Sequence, residues 1–288
     1  MSEERIAVIG AHGAVGKAVL AELGGRAQGF ARGPGPGITD VGDYRNLAVA
    51  DLRGFTSIVN CAGLVAGTPQ QLAEANVAMP RHLGEMARRA GARRFVHLSS
   101  FSTLGDAPVA GPATLEAPQS EYGKSKLEGD RAILDLAGDD FAVCPVRLPA
   151  IVGTGRDKLS RLVRTWQRVR YFPAPRRHVL RSMISVDLAG RALALAVAGR
   201  LPGVCFAADP EPFEFARAAT AISHAGRREV RLAPLPAAFF EPLAILAPAA
   251  FSSLYRDSLV DSAANIASGL ESDLYAVIAA IASREYDY

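Results

Sequence analysis

The chain has 288 residues, 49% of them hydrophobic and 21% charged, with a formal net charge of +3. These proportions are ordinary for a folded globular protein and exclude disordered and fibrous classes, while the length allows one large domain or one domain with a smaller lobe. The pairs Arg88-Arg89, Arg93-Arg94, Arg176-Arg177 and Arg227-Arg228 are separated by apolar sequence, which excludes a massed nucleic-acid-binding stripe. The first predicted element is a strand, Ile6 to Ile9 in "MSEERIAVIG", which follows acidic residues directly, so no signal peptide is expected ahead of the fold. "GAHGAVGKAVL" comes next, with Gly10, Gly13 and Gly16 set between that strand and a helix. Glycine at these steps permits a tight turn, close approach of backbone to a pyrophosphate and packing of helix on strand, while the helix N-terminus faces the anion. In this context the segment predicts dinucleotide binding; the alternative is a tight turn in an unrelated α/β protein.

Further short apolar runs predict strands over Ala27 to Ala31, Ser57 to Asn60, Phe95 to Leu98 and Phe141 to Val146, with a turn-rich "RGPGPG" after the second. "QLAEANVAMPRHLGEMARRAGARR" repeats apolar residues at helical spacing and predicts a helix that stops at Gly91, with a kink or break at Pro80. Strands alternating with longer helices are the pattern of a parallel sheet covered on both faces. After Gly153 the regularity weakens, and Arg156 to Pro175 is expected to form a lobe before "SMISVD" and "LAGRALALAVAG" restore a strand and a helix. From Asp209 onward frequent prolines predict short helices and loops. The longest apolar stretch, Glu241 to Phe251, holds two prolines and falls far short of the roughly 20 residues a membrane helix needs. Cys61, Cys144 and Cys205 are widely spaced with no C-x-x-C pair and no nearby histidine cluster, so no metal site is expected and a reducing cytoplasm fits.

Lysine occurs only at Lys17, Lys124, Lys126 and Lys158, and two of the four stand in "EYGKSKLEGD". Arginine stays charged, whereas lysine is a compact ammonium whose pKa moves with its surroundings. Tyr122 and Lys126 are four apart, on one face of a predicted helix, and a phenol beside an ammonium is a proton donor with a lowered pKa.

The turn G-x-x-G-x-x-G, followed by "NCAGLVAG", "FVHLSSFSTLG" and "YGKSKLEG", resembles the extended short-chain dehydrogenase/reductase family, above all its sugar-nucleotide epimerases and reductases. "VRLPAIVGTGRD", "MISVDLAGRAL" and "DSLVDS" are thinner echoes of the same family. The resemblance implies an α/β, Rossmann-type doubly wound parallel sheet with a smaller C-terminal substrate-binding lobe. Residues 1–154 would form the dinucleotide-binding domain, with 181–206 returning to it, and 155–288 would be mainly the lobe. Carried over, Tyr122 would be the catalytic acid/base, Lys126 would hold the nicotinamide ribose and depress the tyrosine pKa, and Ser100, five before Gly105, would orient the substrate oxygen. Gly10, Gly13, Ala14, Val15 and Gly16 would cover the pyrophosphate. Asp40 and Val41 would flank adenine, with Asp43 a competitor and a turn aspartate the alternative for either. Ala62 and Gly63 would lie beneath the ribose, and Asn76 and Pro149 would complete the cofactor side.

Family members that use NAD usually place an acidic residue at the end of the second strand, whereas "GFARG" presents Arg32, which could meet a 2′-phosphate and leans the cofactor toward NADP over NAD. Phe101 and Ser102 follow Ser100 without a carboxylate, which disfavours 4,6-dehydration. A cytoplasmic enzyme performing 4-epimerisation or 4-keto reduction of a sugar nucleotide is therefore expected, with no nucleic-acid or membrane partner and a homodimer formed through the two long helices. The other reading is a dinucleotide-binding redox sensor or assembly factor without turnover. Arg156 and Arg181 are placed toward the substrate diphosphate by the same likeness, with surface positions as the alternative. The Gly-Trp-x-Pro segment common late in the family is replaced here by "IASGLESDLYAVIAAIA".

Overall fold

A computed structural model describes residues 4–155, 157–199, 201–226, 229–236 and 256–283. In chain order its elements begin β1 (Ile6–Ile9), α1 (Ala14–Leu23), β2 (Ala27–Ala31), β3 (Ile38–Asp40), β4 (Ser57–Asn60), α2 (Pro69–Ala73), α3 (Met79–Arg89), β5 (Arg94–Ser100), β6 (Val109–Ala110) and α4 (Glu121–Leu134). They continue with β7 (Ala142–Leu148), β8 (Ala150–Val152), α5 (Lys158–Val169), β9 (Tyr171–Pro175), β10 (Leu180–Arg181), β11 (Met183–Ser185), α6 (Val186–Ala198), β12 (Cys205–Phe206), β13 (Phe213–Glu214), α7 (Phe215–Gly226), β14 (Arg231–Leu235), β15 (Leu259–Val260) and α8 (Leu274–Ser283).

Seven strands form one sheet in the order β12-β7-β5-β4-β1-β2-β3, and every neighbouring pair is parallel. Strands β1 and β4 are buried along their whole length, as apolar runs must be when helices cover both faces. On one face Val15, Val19 and Leu23 of α1 meet Leu188, Ala192 and Leu193 of α6. On the other, Leu83 and Ala87 of α3 and Ile133 of α4 pack over Ile9 and Ile58. The strand order reverses between β1 and β4, and at that point the C-terminal strand ends splay loops apart and leave a crevice.

Two local devices set the helices that flank the crevice. The expected kink at Pro80 takes the form of a π-helical turn over Glu74–Ala78 between α2 and α3, which absorbs the missing proline N–H without ending the helix. Gly129 of α4 lies so close to this turn that a β-carbon there would collide with the Asn76 carbonyl oxygen. Gly129→Val is therefore expected to push α4 off its seat and to lower stability by about 1–3 kcal/mol, read as a lower midpoint in thermal unfolding.

Beyond β8 the chain builds a second cluster in which Trp166, Phe213, Phe215 and Ile278 bring α5, β13, α7 and α8 together. It then returns to the large sheet, where Ser185 caps α6 through the Leu188 N–H at 2.9 Å and β12 pairs with β7. A late segment also reaches back, since β15 pairs with β6 through Leu259 and Val109. Among the described residues no helix is long and apolar enough to cross a membrane; Glu241 to Phe251 lies outside them.

Candidate active site

The crevice at the reversal point has a volume of about 700 Å³ and is lined by Gly10, His12, Gly13, Arg32, Tyr44, Arg45 and the Cys61-Ala62-Gly63 loop, with α2 across from them. Gly10 adopts φ +85°, and a β-carbon there would stand 2.7 Å from the Ala62 nitrogen, so only glycine allows the first and fourth strands' loops to come together. At Gly16 a β-carbon would strike the Gly10 carbonyl oxygen. Gly13 is the N-cap of α1 and contributes no side-chain cap, which leaves the first N–H groups of the helix, on Ala14, Val15 and Gly16, without acceptors inside it. A narrow glycine cradle beneath open helix N–H groups fits a dinucleotide diphosphate. At the mouth, Arg32 lies over the Tyr44 ring at 5.7 Å, and the His12 imidazole is 3.0 Å from the Gly33 carbonyl.

Strand β5 ends on Ser100, which caps the short turn after it by accepting from the Ser102 N–H at 3.1 Å. Its hydroxyl also donates to Ser102 Oγ at 3.1 Å and lies near enough to the Tyr122 phenol to pull the tyrosine pKa down. Helix α4 starts one residue before that tyrosine, capped by Ser120, whose hydroxyl accepts from the Gly123 N–H at 3.0 Å. Lys126 is 4% exposed, while Lys124 lies at the surface and pairs with Glu121 at 2.7 Å. The Lys126 amine contacts His97 Nε2 at 2.9 Å and donates to the Leu98 carbonyl at 2.7 Å. Burial holds its pKa down to about 8, against the opposing pull of Asp130 and then Cys61. The tyrosine differs from expectation: burial raises its pKa, and the largest opposing effect comes from the nearby Ser100 hydroxyl, while the lysine amine is turned toward strand β5.

One turn further along α4, Asp130 is fully buried and accepts from Arg147 Nε at 3.0 Å. Arg147, on β7, is only 3% exposed and also reaches Glu116 at 2.5 Å. Burial pushes the Asp130 carboxyl up, opposed by Lys126 and Arg147. This ion-pair chain ties the loop ahead of Tyr122 to the sheet and fixes the floor under Lys126.

The structure gathers Ser100, Tyr122 and Lys126 at one strand end and puts Gly10, Gly13, Arg32, Ala62 and Gly63 on the crevice wall. Other sequence-predicted residues have structural partners instead. Asp40 Oδ1 accepts from the Gly33 and Gly42 N–H groups at 2.8 Å each, so it acts as the turn aspartate, and Asp43 pairs with Arg45 at 2.6 Å. Val41 packs on the core beside Phe30 and Leu47. Asn76 is buried and its amide brackets Leu64, accepting from the N–H at 2.9 Å and donating to the carbonyl at 2.8 Å, with a third bond to Ser125. Pro149 joins β7 to β8 and is half-buried. The Arg181 guanidinium donates to the Arg256 carbonyl, and Arg156 lies outside the described residues. His97, Tyr44 and Arg45 were not expected from sequence. His97 alone carried a signal, a polar residue in the middle of an apolar strand facing a helix that bears the rare lysine.

A parallel sheet in this order, with a glycine-lined crevice at its reversal point and Ser100, Tyr122 and Lys126 gathered at the end of the neighbouring strand β5, defines a doubly wound α/β protein. Residues 6–170 match the model of the NAD dependent epimerase/dehydratase family, and the chain belongs to that family. Among curated proteins, sterol demethylase protein B of Methylococcus capsulatus is 32% identical over 122 residues, which cover 40% of this chain and 37% of that protein's length. Among solved structures, MoeE5 in complex with UDP-glucose and NAD superposes with a TM-score of 0.73 at 22% identity, over 98% of this chain and all of that one. UDP-glucuronic acid 4-epimerase from Bacillus cereus, in complex with NAD, gives a TM-score of 0.74 at 15% identity, again over 98% of this chain and 100% of that one. At these identities the structural likeness establishes the fold.

Proposed function

We propose that the protein is a nicotinamide-dinucleotide-dependent oxidoreductase that acts on a sugar nucleotide, by 4-epimerisation or 4-keto reduction, with Tyr122 as acid/base. The observation that carries this reading is the convergence at the end of β5 of Ser100, its last residue, with Tyr122 and Lys126 one turn apart on α4, the lysine bonded to the Leu98 carbonyl of that strand. When bound, the nicotinamide dinucleotide supplies hydride acceptance and donation. The glycine cradle and the α1 N-terminus would bind its diphosphate. Ser100 would orient the substrate oxygen, and the Tyr122 phenol, kept protonated at neutral pH by its raised pKa, would give that oxygen its proton. Phe101 is buried and Ser102 is bonded to Ser100, so neither supplies the additional acid a dehydratase needs. Association as a homodimer through α3 and α4 belongs to the same reading.

Arg32 at the crevice mouth supports NADPH and hence a reductase, while the "CAGLVAG" and "DSLVDS" segments, which resemble those of sugar-nucleotide epimerases and related 4-keto reductases, support the epimerase that retains NAD. The deciding experiment is to denature the purified protein, identify any released nucleotide, and titrate the stripped protein with NADPH and NADH. Tightly held NAD supports the epimerase. A protein that takes NADPH in preference, and loses that preference as Arg32→Ala, supports the reductase. Binding of neither removes the enzymatic reading. A sterol substrate is the second reading, favoured by the likeness to sterol demethylase protein B, and a panel holding both UDP-sugars and sterols separates the two. Lys124→Arg is expected to leave turnover within about twofold of wild type in that assay, because the residue is a solvated helix position whose pair with Glu121 contributes little.

A further inference from the structure

Tyr122, Lys126 and Asp130 follow one another at four-residue steps along α4, so they share the face of the helix that is turned to strands β5 and β7. Lys126 reaches the Leu98 carbonyl of β5. Asp130 lies over the next rung, where Ser99 and Arg147 are opposite partners of β5 and β7. Its Oδ2 accepts from Arg147 Nε at 3.0 Å, while Oδ1 is buried without a hydrogen bond, with the Ser99 hydroxyl near the carboxyl. A buried carboxylate that is short of donors depends on the positive charge around it. Two cations are buried here, Lys126 at 4% and Arg147 at 3% exposure. Arg147 has two carboxylates, Asp130 and Glu116. Lys126 makes its close contacts with His97 Nε2 and the Leu98 carbonyl, and neither brings a negative charge. Since Glu116 also holds Arg147, the charge of Asp130 is shared with the lysine.

We infer that Asp130 is a positioning residue for Lys126: from the next turn of α4 it supplies the negative charge that keeps the buried lysine an ammonium, while Arg147 and Glu116 keep the aspartate in place. Its bearing on turnover rests on the reading of Lys126 as the group that holds the nicotinamide ribose; the charge coupling does not. The other groups around the pair are neutral. On β5, burial drives the His97 pKa down, so the ring carries no charge. At the end of β4, burial pushes the Cys61 thiol up to about 12. On β7, the Cys144 thiol is pushed up by its contact with Cys205 and by burial, and burial likewise raises the Tyr122 phenol on α4. Burial alone would strip the proton from a lysine at this depth. Asp130 is the largest influence that resists it, and Lys126 titrates at about 8, so it is mostly ammonium at neutral pH.

The test uses the full chain labelled with 15N-lysine and stripped of nucleotide. Lysine occurs at only three other positions, and the side-chain signals of Lys17, Lys124 and Lys158 serve as references. The expected result is a Lys126 midpoint of about 8 in the wild type and one lower by about one unit or more in Asp130→Asn, with the reference lysines unmoved. A folded Asp130→Asn in which Lys126 keeps its wild-type midpoint overturns the inference. Coupling is reciprocal, so the Asp130 carboxyl midpoint must rise in Lys126→Met. That measurement, by 13C, carries the test if Asp130→Asn does not fold, and an unmoved carboxyl there overturns the inference equally. On an identified substrate, the upper limb of the kcat/KM profile should move down with the lysine, so that the Asp130→Asn defect shrinks from pH 8 to pH 6. A defect equal at both pH values would show Asp130 to be packing alone. Neither titration involves nucleotide or substrate, so a failure of the functional reading registers separately, as an absence of binding or turnover.

Discussion

Tyr122→Phe is expected to lower turnover by about 10²–10⁴-fold, the range for loss of a general acid/base, while thermal stability and nucleotide affinity stay close to wild type. The ring is half-buried and its packing is kept by phenylalanine; what is lost is the hydroxyl that lies near Ser100. Ser100 keeps its Ser102 bonds in the variant, so the strand end should not collapse. The check is kcat on whichever substrate the panel identifies, alongside a nucleotide titration of the same preparation. Retention of more than a tenth of wild-type kcat would remove Tyr122 from the reaction.

Arg147→Met is expected to be the most damaging change outside the catalytic set. Asp130 is fully buried and Arg147 nearly so, and removing one partner of a buried pair leaves an uncompensated charge worth about 3–5 kcal/mol. For a chain of this size that is a fall in Tm on the order of 10 °C. The pH dependence has a definite sign. Burial already raises the Asp130 pKa above its ordinary 3.8, and loss of Arg147 raises it further. The folded variant therefore binds more protons than the unfolded chain above about pH 4, and its stability falls as pH rises through the new pKa. The deficit should be smaller at pH 5 than at pH 8, and Asp130→Asn placed on top of Arg147→Met should recover most of it. A variant equally unstable at both pH values would show that the loss is packing rather than charge.

The sheet was legible wherever burial wrote a continuous apolar run, and β1, β2 and β4 fall on their predicted bounds. β3 and β12 were not, because strands of three and two residues take their identity from the neighbour they pair with. The proline at 80 announced a disturbance of the helix but not its form, since a π turn depends on how closely Gly129 lets the facing helix approach. The glycine turn and the Tyr-x-x-x-Lys spacing are local and could be read in one dimension. The hydrogen bonds of Asn60, His97 and Lys126 span 37 and 29 residues and join a strand to a strand and a strand to a helix. Only the sheet order brings them together. The adenine side is less legible for a related reason: an aspartate at the end of a short edge strand looks the same in sequence whether it meets a ligand or closes its own turn.

The contact between α1 and α6 limits where this chain can be divided. Gly190 sits so near Ala18 that its missing β-carbon would be 2.7 Å from the Ala18 carbonyl carbon, and the apolar side of α1 is covered by residues that come after position 185. An engineer who keeps only the stretch of family likeness, residues 6–170, would retain the glycine turn but strip the wall that holds its helix. Chimeras with relatives should therefore exchange the intervening lobe and leave both flanks from one parent.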